Sequence, residues 1–368
     1  MPTNLPRKLP ITDLDWGDYV TLIGRANAEI ARYDGILQSV PNPTVLLSPL
    51  LRQEAVLSSR IEGTQASLEE VLEFEAKPEQ ETPKRNDIRE VINYRAALEA
   101  GANKLEQLPL SLRLIREIHN ILLRDVRGQS SSRGDFRKVQ NYIGAPGDDL
   151  KDARYVPPGP DVLMDYLSNF EEYLHFDEKD RLVQTAIMHA QFEIIHPFLD
   201  GNGRVGRLLI PLFLYARQML DSPMFYISAY FERNRTEYYD SLLRITEYDD
   251  WSDWIRFFLS AVITQSKVNI RKARKILELY EEMKTLVPNI TGSKYAIQII
   301  DVLFGNTVFT TRSIKNKSTV PKRSVHRILG NLVDEGIISV LHEASGRNPA
   351  LYIFPALFNI VNTQEEVE

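Results

Sequence analysis

Twelve consecutive residues concentrate the chemistry of this chain: His196-Pro197-Phe198-Leu199-Asp200-Gly201-Asn202-Gly203-Arg204-Val205-Gly206-Arg207. They lie between "AIMHAQFEII" and "LLIPLFLYARQML", two stretches that read as buried helices. Gly201, Asn202 and Gly203 fall where one helix ends and the next begins, and glycine permits both a tight turn and close approach of the backbone to a ligand. The opening of the second helix offers unpaired N–H groups and a positive dipole end, an anion site. Arg204 and Arg207 are three apart and reach the same side, and guanidinium groups match phosphate geometry. Asp200 is placed to hold Mg²⁺ against phosphate oxygens. His196 is a candidate general base, since an imidazole accepts a proton near neutral pH. The set describes a nucleotide phosphate bound with Mg²⁺ and a hydroxyl activated to attack it. Taken singly, a histidine before proline is usually structural, "GNG" is usually a turn and arginines often cap helices. Those readings weaken because all must hold at once inside an apolar setting.

The elements that must position these residues are mostly helical. "WGDYVTLIGRANAEIARYDGIL" has apolar residues at helical spacing and stops before Pro41 and Pro43. "VLLSPLLRQEAVLSSRIEG" reads as a second helix ending at Gly63. "SLEEVLEFEA" carries a capping-box pattern at Ser67 and Glu70. "DIREVINYRAALEAGANKL" and "LSLRLIREIHNILL" follow, and further helices are predicted at 160–174, 180–195, 203–219, 235–246 and 251–285. Residues 127–160 break the pattern. There "RKVQNYIG" and "ARYVPP" flank "APGDDLKD", which predicts a β-hairpin standing out from the helical body. Beyond "VPNITGSKY" the chain reads as helix, helix, helix and two strands, which is winged-helix order.

With 368 residues the chain is long enough for two or three domains. Hydrophobic residues at 43% and charged residues at 26% place it among ordinary globular proteins rather than disordered or fibrous ones. The absence of cysteine excludes disulfides and thiolate metal sites. The N-terminal stretch lacks an apolar h-region, and Arg217 interrupts the longest apolar run. No membrane association and a cytoplasmic location are therefore expected. A net charge of −6 gives no general attraction to nucleic acid, but between Asp301 and Asp334 no acidic residue occurs. Arg312, Lys315, Lys317, Lys322, Arg323 and Arg327 lie in that stretch, so residues 312–327 are a candidate DNA contact, with packing or protein contact as the alternative.

The twelve residues resemble the Fic (Fido) family motif HxFx(D/E)GNGRxxR without departure. The resemblance covers roughly residues 110–260 and implies a mainly α fold, a helical core with a β-hairpin flap. It implies transfer of AMP from ATP to a Ser, Thr or Tyr hydroxyl of a target protein. His196 would deprotonate that hydroxyl, Asp200 would carry Mg²⁺, Gly201, Asn202 and Gly203 would cradle the phosphates, and Arg204 and Arg207 would hold the β- and γ-phosphates. Val205 and Gly206 belong to the same nucleotide-binding stretch, Phe198 would anchor the loop, and Asn234 would reach the adenine. Ser58-Ser59-Arg60-Ile61-Glu62-Gly63 is similar to the family's inhibitory motif (S/T)xxxE(G/N). Its glutamate, here Glu62, would pair with Arg207 and block the γ-phosphate position. Residues 137–144 of the flap could accept a target segment as an added strand.

The expected organisation is an N-terminal helical region with the inhibitory helix (1–109), a Fic core (110–262), a linker helix (263–289) and an α+β winged-helix domain (290–368). A homodimer is left open. Two rival functions remain: a DNA-binding regulator whose core senses nucleotide without transferring it, and an enzyme that mainly removes AMP. An intact His196 favours transfer, because a pure sensor needs no base.

Overall fold

A computed structural model describes residues 5–79, 81–126, 132–144, 149–345 and 349–363. The chain divides into two units. The first comprises Met1–Asp34, Leu57–Thr64 and Asn93–Ser266; the second comprises Gly35–Val56, Gln65–Ile92 and Lys267–Glu368. The mainly helical class expected from the sequence is what is found.

The first unit is built on a pair of packed helices, Arg181–Ile195 and Asn202–Ala216. In the former every residue except Arg181 and Glu193 is buried, and in the latter burial is complete from Asn202 to Leu214. Helices this apolar all round can only be central. Asp180 starts the first of them by accepting from the N–H groups of Leu182 and Val183, both at 2.9 Å. Helices Leu112–Leu122, Leu163–His175 and Arg235–Tyr248 pack on this pair. Trp254, on the helix Trp251–Thr291, is wholly buried and donates from its indole N–H to the Ala186 carbonyl at 2.8 Å. The hairpin is narrower than expected. Among the described residues, pairing between its arms is a single antiparallel bridge, Ile143 with Tyr155, closed by hydrogen bonds of 2.9 and 3.1 Å. Its turn at 145–148 lies outside the described residues.

The second unit contains a three-stranded antiparallel sheet of order β1-β3-β2, with β1 Val308–Thr310, β2 Ser339–His342 and β3 Leu351–Ile353. Helices Ala296–Gly305, Thr311–Lys317 and Lys322–Asp334 join it, and helix Leu68–Ala76 packs on β1. That helix begins with the capping box expected at Ser67 and Glu70. Three local features differ from expectation. β1 is an additional strand, and its three buried residues are too few to show alternation in the sequence. Pro355 opens a helix, Pro355–Asn362, where the sequence reads as strand; proline at the first helical position is pre-organised for that role. The long helix continues past Pro288 to Thr291 and stops at Gly292, whose φ of 54° is left-handed.

Candidate active site

The helix Arg181–Ile195 terminates at His196, which takes the left-handed conformation (φ 49°, ψ 62°). Two constraints hold it there. Pro197 disfavours right-handed helix at the residue before it. Arg137, from the base of the flap, is only 3% exposed and clamps the bend. Its Nε donates to the His196 carbonyl at 2.9 Å, its Nη2 to the carbonyls of Ile195 and Pro158, and its backbone N–H to the Pro197 carbonyl at 2.9 Å. Arg137 is a site residue that sequence reasoning missed; its only signal is a basic residue inside the predicted hairpin.

The loop that follows is closed by its own side chains. Asn202 accepts from the Phe198 N–H and donates to the Phe198 carbonyl, each at 2.8 Å. Phe198 is fully buried and stacks on His119 at 3.7 Å between ring centroids. His119 accepts from the Gly134 N–H at 2.9 Å, so its Nε2–H donates to the Asp200 carbonyl at 3.0 Å. Burial keeps this ring neutral, its pKa lowered to about 4. The His196 ring donates from Nδ1–H to the Glu193 carbonyl at 3.3 Å, which leaves Nε2 as the lone-pair nitrogen. Burial lowers its pKa to about 4 as well, so the imidazole is neutral at physiological pH.

Gly201, Asn202, Gly203, Arg204, Val205, Gly206 and Arg207 turn onto the central helix, with Gly201 at its N-cap in the left-handed region (φ 79°). Arg204 Nη2 lies 3.5 Å from Asp200 Oδ1. The Asp200 carboxylate accepts from the Gly201 N–H at 2.6 Å and keeps 57% of its side chain accessible.

Arg207 has its side chain fully buried. Its Nε donates to Ser58 Oγ at 2.9 Å, and its Nη2 donates to the Ser58 carbonyl at 2.9 Å and to Glu62 Oε1 at 2.6 Å. Burial opposes the Glu62 charge, but the charge and hydrogen bond of Arg207 outweigh it and hold the carboxyl below its ordinary pKa. Ser58 and Glu62, distant in sequence from the motif, are thus brought to it. Gly203 leaves room where they meet: a Cβ there would lie 2.2 Å from Glu62 Oε1, so the carboxylate would have to shift. The next glycine, Gly206, faces a second carboxyl in the same way, Glu193 Oε1 at 2.1 Å. Burial raises the Glu193 pKa to about 8; Arg207 lowers it in part and Glu62 adds to the rise.

Beside these carboxyls is a cavity of about 470 Å³. Glu62, Glu193, Tyr155, Tyr239, Leu242 and Thr246 are among its lining residues. Asn234 is not among them; its side chain donates to the Tyr230 carbonyl at 2.9 Å, between two helices. Sequence reasoning also misses Tyr239 and Thr246, which belong there to an ordinary amphipathic helix. Among the described residues no cluster of three or more His, Cys, Asp or Glu could cage a metal ion. Asp200, whose carboxylate side chain is 57% accessible, is a donor of the kind Mg²⁺ takes when one or two carboxylates and substrate phosphates hold it. No described helix is long and apolar enough to cross a membrane.

The Fic/DOC family N-terminal model matches residues 20–103, and the Fic/DOC family model matches residues 109–214. Over 113 residues the chain is 34% identical to proteins named protein adenylyltransferase Fic in Drosophila grimshawi and Drosophila virilis. The match covers 30% of this chain but 21% of each relative, so it spans about a fifth of their length. A Fic family protein from Desulfovibrio desulfuricans shares the fold at a TM-score of 0.59 and 19% identity, over 95% of this chain and 98% of that one. Fic-1 from C. elegans aligns at 0.52 and 22% identity, over 70% and 73%. The motif without departure, its helical setting and these matches agree: the chain belongs to the Fic/DOC family.

Proposed function

We propose that the protein transfers AMP from ATP to a Ser, Thr or Tyr hydroxyl of a target protein, and that Glu62 restrains it. The observation that carries this reading is the buried Arg207, held by Ser58 and Glu62 beside an otherwise complete motif loop. His196 Nε2 takes the proton of the attacking hydroxyl. The hydroxyl oxygen bonds to the α-phosphorus, the α–β bridging bond breaks, and diphosphate leaves. Gly201 to Gly203 and the start of the central helix hold the phosphates by backbone N–H groups, and Arg204 and Arg207 hold them by charge. Asp200, half-accessible, would hold Mg²⁺, which when bound neutralises phosphate charge. The 470 Å³ cavity has the size of a small-ligand site and takes the nucleoside beside Tyr239. While Glu62 holds Arg207, the triphosphate cannot seat for in-line attack. Val139, Tyr142 and Ile143 on the flap are exposed apolar residues, which supports docking of a target segment there.

Duplex DNA is the proposed partner of the second unit. Lys322, Arg323, His326 and Arg327 are exposed on the helix Lys322–Asp334, and Val325, Ile328, Leu329 and Leu332 are its buried face. The test of the catalytic reading is intact-mass spectrometry after incubation with ATP and Mg²⁺, as wild type and as Glu62→Gly. An adduct of one AMP is expected. Bound but uncleaved nucleotide in both would favour the sensor reading, and release of AMP from a modified target would favour the reverse reaction.

A further inference from the structure

Two carboxyl groups sit on one turn of the central helix. Glu62 Oε1 is seated over Gly203 and Glu193 Oε1 over Gly206, at 2.2 and 2.1 Å from where a Cβ would stand. The Arg207 guanidinium bonds the first of them. Glu193 Oε1 and Arg207 Nη1 are both buried and have no hydrogen-bond partner among the described residues. An acceptor and a donor are thus left open near the same helix turn, and Glu193 also lines the cavity shared with Glu62 and Tyr239. Buried polar groups left unpaired are costly, so such a pair is a place for a ligand to complete.

A ligand carrying phosphate oxygens can use Arg207 Nη1 directly. It is repelled by Glu193 if that group is ionised and bonded by it if the group carries its proton. We propose that Glu193 is a ligand-binding residue of this site, donating a hydrogen bond from its carboxylic acid to an oxygen of the nucleotide seated beside Arg207. This rests on the nucleotide reading above. The surroundings favour the acid form. Facing the carboxyl are Arg207 on the central helix, Glu62 at the end of the Ser48–Ile61 helix, and Tyr238 and Tyr239 on the Arg235–Tyr248 helix. Arg154 and Tyr155 of the flap and Arg235 line the same cavity, and His189 and His196 are on its own helix and at its end. Both histidines are held neutral by burial. Arg154 is drawn to Asp240, and Arg207 is already bonded to Glu62. Burial together with Glu62 holds the Glu193 proton up to a pKa of about 8.

The experiment is calorimetric binding of ATP to the full chain from pH 7 to 9.5, above the last phosphate ionisation, as wild type, E193Q and E193A. Adenosine is the second probe. If only the protonated site binds, wild-type affinity for ATP falls on the order of tenfold between pH 7 and 9. E193Q keeps a donor that does not titrate, so it binds near the wild-type level at pH 7 without the fall. E193A is weaker at every pH. A fall seen with ATP and absent with adenosine assigns the bond to a phosphate oxygen; a fall with both assigns it to the nucleoside. An unchanged fall in E193Q, or a flat wild-type profile, overturns the proposal and leaves nucleotide binding intact. No ATP binding by any of the three overturns the nucleotide reading itself, and this inference with it.

Discussion

Arg207 donates to Glu62 at 2.6 Å although the two residues are 145 positions apart. Only the fold produces that contact, and Ser58 adds two more bonds to the same guanidinium, each at 2.9 Å. A guanidinium held through Nε and Nη2 keeps only Nη1 for a phosphate and cannot move to meet one. Misplacement of reacting groups by about 1 Å can cost on the order of 10²-fold in rate. Glu62→Gly is therefore expected to raise AMP incorporation, self-modification included, by at least about that factor. Arg207→Ala is expected not to, because it removes the phosphate contact along with the restraint. Labelled-AMP incorporation at equal ATP measures both. Equal incorporation by wild type and Glu62→Gly would reduce the pair to a structural contact.

The base role proposed for His196 rests on geometry: a neutral ring with Nδ1–H spent on the Glu193 carbonyl and Nε2 left to accept a proton. His196→Ala is expected to lower transfer by about 10²–10⁴-fold. ATP affinity should change little, because the proposed phosphate cradle begins at Gly201. The left-handed backbone at this position (φ 49°) is held by Arg137, so the loop should keep its shape without the ring. Transfer by His196→Ala at the wild-type rate would remove the residue from the mechanism.

The motif helices are legible in the sequence because burial on all sides leaves apolar runs with few alternatives, and the glycine turn separates them. The placement of Ser58 and Glu62 is legible only through the resemblance of their spacing to a family motif, since no local rule predicts a partner at long range. What stays hidden has physical reasons. Arg137 reads as a surface charge, and its burial is decided by three carbonyls it meets only in the fold. Glu193 reads as one polar residue in a buried helix, and Gly206 as part of the nucleotide-binding stretch; that the two face each other is decided only in the fold. Tyr239 and Thr246 carry no signal in sequence, because a cavity wall has the same periodicity as a packed helix.

His189 is wholly buried in the first unit. Its Nδ1–H donates to the Gly206 carbonyl at 3.1 Å and its Nε2 accepts from the Tyr238 hydroxyl at 2.9 Å. Burial lowers its pKa to about 3 from an ordinary 6.5. Below pH 6.5 the unfolded chain takes a proton here that the folded chain refuses, so stability falls as pH drops from about 6.5 toward 3. The limiting slope is about 1.4 kcal/mol per pH unit for each such histidine. His119 and His196 act in the same sense. His189→Gln is expected to be less stable at pH 7, where the Tyr238 hydroxyl loses its acceptor, but to lose less stability between pH 7 and 5. Urea midpoints at pH 7, 6 and 5 test this, and parallel slopes for the two proteins would discard it.

The helix Lys322–Asp334 has Val325, Ile328, Leu329 and Leu332 buried, and its first turns expose Lys322, Arg323, His326 and Arg327 to solvent. Arg327 also donates to the Thr291 carbonyl at 2.7 Å, which ties it to its own unit and leaves Lys322 and Arg323 as the better phosphate contacts. The chain as a whole carries −6, so any affinity for duplex DNA must come from this local face. Phosphate contacts release counterions, and the binding constant then falls with salt with a slope of about −0.9 per phosphate neutralised. The full chain is expected to retard duplex DNA at low salt and to lose that binding steeply as salt rises. Lys322→Ala with Arg323→Ala should weaken binding across all sequences and reduce the magnitude of the slope by about two. Electrophoretic retardation over a salt series, with AMP incorporation as a check that the first unit is intact, makes the measurement. A double variant that binds like wild type, or no retardation of any duplex by wild type at low salt, would assign this face to protein contact.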